Sequence, residues 1–225
     1  GGGAGIQADL KTLSALGVFG MTAITAVTAQ NTRGVTAIEG ISPEVVRAQV
    51  EAVVTDIGVN AVKIGMLHDR AIMRIVAEEL HRFRLVPVVL DPVMVAKGGA
   101  SLLAREAVEA LTRRLLPLAT VLTPNLPEAG VLLKTAVPES VRDMRRAAEK
   151  LRELLPHSDQ RWVLLKGGHL PGGELIDLLF DGDKMIELAS QRVDTRNTHG
   201  TGCTYSAAIA ALLPQRSDVP AAVSD

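Results

Sequence analysis

The feature that most limits how this chain can fold is its alternation of short, β-branched apolar runs with longer stretches of helical period. Residues 61–66, 86–90, 120–122 and 162–165 are almost continuously apolar. That pattern belongs to strands covered on both faces, as in parallel sheets. Between them lie segments that repeat every three to four residues. Ser42-Pro43 starts one as N-cap and N1, with Val46, Val50, Val53, Val54 and Ile57 as its stripe. Asp69 can cap the next, which carries Ile72, Ile75, Val76, Leu80 and Phe83. Further helices are predicted over 105–116 and 141–155, with a short one after 123–128. Near the N-terminus, residues 6–16 have helical spacing and end at Gly17, and 18–27 read as a strand. Residues 175–180 and 185–188 flank Asp181-Gly182-Asp183, a hairpin signal. The expected fold is α/β: a mostly parallel sheet with helices on both faces and a late antiparallel hairpin.

The 225 residues contain no linker or internal repeat, so 1–225 reads as one domain. The chain begins inside a glycine loop and stops in a segment that can begin a helix, so an N-terminal strand and a C-terminal helix are expected to be missing. Lys and Arg (24) balance Asp and Glu (25) and are interspersed, which leaves no basic footprint for nucleic acid or an anionic membrane. Mean hydropathy is high at +0.23, yet no apolar run approaches the roughly 18 residues of a membrane span. One cysteine permits no intrachain disulfide and no cysteine zinc cluster; it fits a reducing compartment, and a cytoplasmic location is expected.

In an open α/β sheet, ligands bind beyond the carboxyl ends of the strands. Gln30, Asp91, Asn125, Glu128 and Lys166 each fall just after a predicted strand. The polar stretch 196–206, Arg-Asn-Thr-His-Gly-Thr-Gly-Cys-Thr-Tyr-Ser, opens an alanine-rich helix. Gly200 and Gly202 allow close backbone approach, and the first helical N–H groups lack intrahelical acceptors, so Gly200, Thr201, Gly202 and Cys203 can surround one anion. A helix start also depresses a thiol pKa, which would make Cys203 available as a thiolate. Phosphoryl transfer needs this set of groups: N–H donors and cations for spreading negative charge, and a base for the attacking hydroxyl. Asp91 and Glu128 can organise Mg²⁺, partly through water, and Lys166 can reach a phosphate. Each feature also has a plainer explanation, a turn before a packed helix for the loop and a helix cap for each acid.

No Walker A sequence is present, so a kinase of another lineage is implied. The glycines at 1–5 are not followed, about twenty residues on, by the acid of a dinucleotide site. Lys97-Gly98-Gly99-Ala100 reads as a loop near the site or an ordinary connection. The five histidines lack metal-ligand spacing; His199, inside the anion loop, is the one to watch.

Seven motifs, read together, carry a resemblance: Gly2-Gly3-Ala4-Gly5-Ile6-Gln7-Ala8-Asp9, Ala29-Gln30-Asn31-Thr32-Arg33-Gly34, Lys63-Ile64-Gly65-Met66-Leu67, Asp91-Pro92-Val93-Met94, Thr123-Pro124-Asn125-Leu126-Pro127-Glu128, Lys166-Gly167-Gly168-His169 and Asn197-Thr198-His199-Gly200-Thr201-Gly202-Cys203. The chain resembles the hydroxymethylpyrimidine/phosphomethylpyrimidine kinases of thiamine biosynthesis along its whole length. The resemblance implies a ribokinase-like three-layer α/β fold, ATP and Mg²⁺ as cofactors, a homodimer, and two successive phosphorylations of one pyrimidine. It assigns the aminopyrimidine to Gln30, with Ala4, Met66 and Val93 lining its pocket. It assigns the anion hole to Gly200–Cys203, the nucleotide to Asn125, Lys166 and Thr201, and the base to Cys203, where many ribokinase relatives hold an aspartate. A pyridoxal or pyridoxine kinase is the nearest alternative, and a catalytically silent nucleotide or pyrimidine sensor the alternative from another class.

Overall fold

The structure, a computed structural model, describes residues 2–94, 105–158, 160–195 and 198–225. The predicted loop at Lys97-Gly98-Gly99-Ala100, and Arg196-Asn197 of the anion loop, lie outside the described residues.

The chain runs α1 (Gly5–Ala15), β1 (Ala26–Gln30), β2 (Val35–Gly40), α2 (Pro43–Asp56), β3 (Val62–Ile64), α3 (Arg70–Arg82), β4 (Val88–Leu90) and α4 (Arg105–Ala110). It continues through β5 (Val121–Leu122), α5 (Leu126–Leu133), α6 (Val141–Glu153), β6 (Trp162–Leu165), β7 (Glu174–Phe180), β8 (Met185–Gln191), α7 (Thr201–Leu212) and α8 (Val219–Ser224). The main sheet has the order β3-β4-β5-β6-β7-β8. Its first three pairings are parallel and its last two antiparallel. The parallel strands are apolar throughout because both faces are covered. Val88, Leu90, Leu122, Val163 and Leu165 pack under the layer that includes α3, α5 and α6. Val89, Val121, Trp162 and Leu164 pack against Ile209 of α7 and Val219 and Val223 of α8. Alternate residues of one strand thus serve two cores.

Two helix starts follow the capping signals read at Ser42 and Asp69, whereas α5 begins at Leu126, inside the 123–128 stretch after which its helix was expected. Ser42 accepts from the Val45 N–H, Asp69 from those of Ala71 and Ile72, and Ser140 from that of Asp143. The predicted 105–116 helix is α4 followed by a π-helical turn at Leu111–Leu115 and a 3₁₀ turn at Leu116–Leu118, where Pro117 cannot continue a regular helix.

One expectation fails, and one strand is additional to those expected. Residues 18–25, expected as most of a strand, belong to no ladder; only the end of the 18–27 run, as β1, pairs. β-branched composition makes a strand only where another strand supplies partners. Here the backbone N–H and C=O of Ile24 are instead read by the Gln49 amide (2.8 and 3.0 Å), and Thr25 Oγ1 donates to the Met66 carbonyl at 2.8 Å. β2 was not anticipated: β1 and β2 form a separate antiparallel hairpin, turned by 31–34. Asn31 Oδ1 accepts from the Arg33 and Gly34 N–H groups across that turn, an Asx arrangement.

Candidate active site

The carboxyl ends of β4, β5 and β6 deliver the polar residues, and ladder hydrogen bonds continue past the strands to hold them. The Asp91 N–H donates to the Ile64 carbonyl and the Thr123 N–H to the Leu90 carbonyl, both at 2.9 Å; the Lys166 N–H donates to the Pro124 carbonyl, also at 2.9 Å. Asp91 is 3 % exposed. Its Oδ1 accepts from Lys166 Nζ (3.1 Å) and Thr123 Oγ1 (3.3 Å), and its Oδ2 from Ser206 Oγ (3.3 Å). Ser206 belongs to α7, so this carboxylate ties the sheet to the helix that the anion loop opens.

The N-terminus of α7 is shaped by backbone rather than by a cap. Gly200 is the N-cap with φ +83° and provides no side-chain acceptor for the first turn. A Cβ on Gly200 would stand 1.6 Å from the Gly3 carbonyl oxygen, and one on Gly3 would meet His199. The two glycine loops therefore lie against each other, with α1 packed on α7. A Cβ on Gly202 would lie 3.4 Å from Lys166 Nζ. The Lys166 ammonium thus sits beside the first turn of α7, and together they form a positive cradle.

Asn125 and Glu128 make a reciprocal capping box at α5: Asn125 Oδ1 accepts from the Glu128 N–H and Glu128 Oε2 from the Asn125 N–H, each at 2.9 Å. Cap and acid are therefore one structure. Burial pushes the Glu128 carboxyl up to about 7; Lys166 pulls it down, Asp91 pushes it up, and the N–H groups of Asn125 and Met94 pull it down.

One cavity of about 1880 Å³ is lined by Ala4, Gln30, Met66, Asp91, Val93, Asn125, Glu128, Lys166, Gly200, Thr201, Gly202 and Cys203, the whole set singled out from the sequence. Gln30 ends β1, and the β1–β2 pairing shifts register between Ala29 and Gln30. Ala4 is the N-cap of α1, and Met66 follows β3. Val46, Val50 and Val62 also line the cavity.

The thiol departs from expectation. Burial pushes Cys203 up from its ordinary value, against the pull of the Lys63 ammonium and of the Gly5 N–H; Asp91 and Asp9 also push it up. A helix start alone would predict the opposite, but desolvation of the charged form wins.

Among the described residues, no three His, Cys, Asp or Glu side chains gather as a ready metal cage. Asp91 and Glu128 are two hard oxygen donors; both oxygens of Asp91 and Oε2 of Glu128 already accept hydrogen bonds. That set fits a Mg²⁺ ion that keeps several waters and completes its shell with phosphates. Sequence reasoning missed Lys63 and Asp9, a bidentate pair (2.9 Å to both oxygens) lining the cavity, and the supporting hydroxyls of Thr123 and Ser206. A lysine inside the apolar run 61–66 was the available signal, since buried lysines are rare unless paired.

The sequence profile of the phosphomethylpyrimidine kinase family matches residues 1–225. The hydroxymethylpyrimidine/phosphomethylpyrimidine kinase of Rhizobium meliloti (strain 1021) is 54 % identical over 224 residues, covering 100 % of this chain and 82 % of that protein. Among solved structures, the phosphomethylpyrimidine kinase of Clostridium difficile 630 superposes with a TM-score of 0.84 at 42 % identity, covering 99 % of this chain and 89 % of that one. The pyridoxal kinase of Bacillus subtilis in complex with ADP gives a TM-score of 0.87 at 38 % identity, over 99 % and 82 %. No helix among the described residues is long and apolar enough to cross a membrane.

Proposed function

The chain belongs to the phosphomethylpyrimidine kinase family, and from that premise we propose that it phosphorylates 4-amino-5-hydroxymethyl-2-methylpyrimidine and then its monophosphate, with ATP as donor, to supply the diphosphate for thiamine biosynthesis. The observation that carries this reading is the single cavity holding both a phosphate cradle, Gly200–Cys203 with Lys166, and Gln30. A primary amide offers one acceptor and two donors, which complements the edge of an aminopyrimidine. Ala4, Met66 and Val93 supply the apolar walls of the ring pocket.

The N–H groups of the first turn of α7 and the Lys166 ammonium bind the terminal phosphoryl group and meet the charge that develops on its oxygens. Asn125 and Thr201 take part in holding the nucleotide. Cys203 accepts the proton of the hydroxymethyl group as its oxygen attacks phosphorus. Because burial holds the thiol up, the rate should climb with pH as thiolate forms. Asp91 and Glu128 would hold Mg²⁺, partly through water; when bound, the ion neutralises phosphate charge. Residues 1–225 act as one kinase domain in a cytoplasmic homodimer.

A second reading, a pyridoxal kinase of the same fold, draws on the similarity to the Bacillus subtilis enzyme. ADP formation with hydroxymethylpyrimidine, its monophosphate and pyridoxal in parallel separates the two. The first reading expects the highest kcat/KM for the two pyrimidines; a preference for pyridoxal overturns it, and no turnover of any would favour a silent sensor.

A further inference from the structure

The buried lysine of β3 calls for a reason. Lys63 Nζ sits 2.9 Å from both oxygens of Asp9 on α1, and the two side chains are 9 % and 14 % exposed. Burial outweighs the ammonium at Asp9, whose carboxyl is pushed above the usual range. Well-packed apolar residues would fasten α1 to β3 at least as well as such a pair. Its location offers a better explanation. α7 packs on both α1 and β3, and Lys63, Asp9 and Cys203 line the same cavity. The loop that leads into α1, the helix that carries Asp9, lies against the start of α7, where a Cβ on Gly200 would stand 1.6 Å from the Gly3 carbonyl oxygen.

We propose that Lys63, held in place by Asp9, is a positioning residue that serves as counter-cation to the Cys203 thiolate during phosphoryl transfer. The proposal deepens the reading of Cys203 as base and rests on it. In the step, the substrate hydroxyl gives its proton to the Cys203 sulfur while its oxygen forms a bond to the terminal phosphorus of ATP. The bridging P–O bond breaks with its electron pair leaving on ADP, and the thiol later returns the proton to water. Lys63 stays charged throughout. The other ionisable groups around the thiol are Asp91 after β4, Lys166 after β6, and His199 and Tyr205 beside it in sequence; Asp225 of α8 borders the groove along Thr204 and Tyr205. Lys166 is engaged by Asp91, which leaves Lys63 as the cation whose own partner is not a proposed metal ligand.

Cys203 is the only cysteine of the chain, so iodoacetamide labelling of the substrate-free protein reads its ionisation directly. Lys63→Met should raise the pH midpoint of labelling and slow it about tenfold at pH ~7.5, equivalent to one pH unit. Asp9→Asn should lower the midpoint, because it removes a negative charge near the sulfur while leaving the lysine. A purely structural pair predicts the same direction for both variants. Because Lys63→Met leaves a buried carboxylate without its cation, the double variant D9N/K63M, with an intermediate midpoint, and Lys63→Arg, with a near wild-type one, are measured alongside. Midpoints that move together, or stay fixed in folded variants, overturn the proposal. Labelling uses neither ATP nor pyrimidine, so it is separable from the base assignment. If labelling shifts but the pH profile of kcat does not, the pair has no part in the proton step.

Discussion

Glu128 makes the most quantitative prediction, because one residue is both helix cap and candidate metal ligand. It is 5 % exposed, and its carboxyl is raised from 4.5 to about 7, chiefly by burial. A carboxyl whose pKa is higher in the folded than in the unfolded chain contributes stability that is complete below the unfolded value and is lost as pH rises through the folded one. Over the interval from 4.5 to about 7, at about 1.4 kcal/mol per pH unit, the loss is about 3 kcal/mol. Glu128→Gln removes the titration yet keeps an oxygen to accept the Asn125 N–H, so the capping box survives. Urea unfolding of both proteins in metal-free buffer from pH ~4.5 to ~8 should show the variant gaining on wild type by about 3 kcal/mol across that window. Adding Mg²⁺ with nucleotide should restore wild type preferentially, since a divalent cation favours the ionised carboxylate. A stability difference that stays constant with pH refutes the buried-acid reasoning. Restoration of both proteins to the same extent refutes the metal assignment.

The other perturbations act on separate parts of the cavity. Gln30→Leu should raise KM for the pyrimidine by the equivalent of ~1–3 kcal/mol per lost pairing while leaving KM for ATP nearly unchanged; equal effects on both substrates would remove Gln30 from ring recognition. Cys203→Ser should keep the fold and ATP affinity but lose roughly 10²–10⁴-fold in kcat, and the wild-type rate should keep rising with pH beyond the ordinary thiol range because burial holds Cys203 up. A serine variant near wild-type rate would leave the proton to another route. Gly200→Ala places a Cβ 1.6 Å from the Gly3 carbonyl oxygen at a φ of +83°. It should lower Tm and weaken ATP binding together, and unchanged values for both would contradict the packing of the two glycine loops.

Much of this was legible because the signals were local. Continuous apolar runs located β3 to β6 to within two residues at each end, and Ser42 and Asp69 marked helix starts whose caps are present in the structure. The positions of Asp91, Glu128 and Lys166 followed from the rule that polar residues gather where parallel strands end. Other features depended on what the chain brings together in space. The ladder state of 18–25 depends on whether a strand lies beside it, and Gln49 supplies the partner atoms instead. The Cys203 thiol illustrates the same limit, since its position at a helix start is visible in sequence but the burial that reverses the effect is not. Asp9 and Lys63 lie 54 positions apart, so neither shows its partner in the sequence, and their meeting beside the thiol emerges only from the packing of α1, α7 and β3.

The central claim is that one cavity carries two successive phosphorylations of one pyrimidine. Mass spectrometry of a single reaction containing the protein, excess ATP, Mg²⁺ and hydroxymethylpyrimidine, sampled over time, tests it most directly. A monophosphate should rise and then be consumed as a diphosphate accumulates, with both steps lost in Lys166→Ala. A reaction that stops at the monophosphate, or that leaves the pyrimidine untouched while pyridoxal is phosphorylated in a parallel tube, would contradict it.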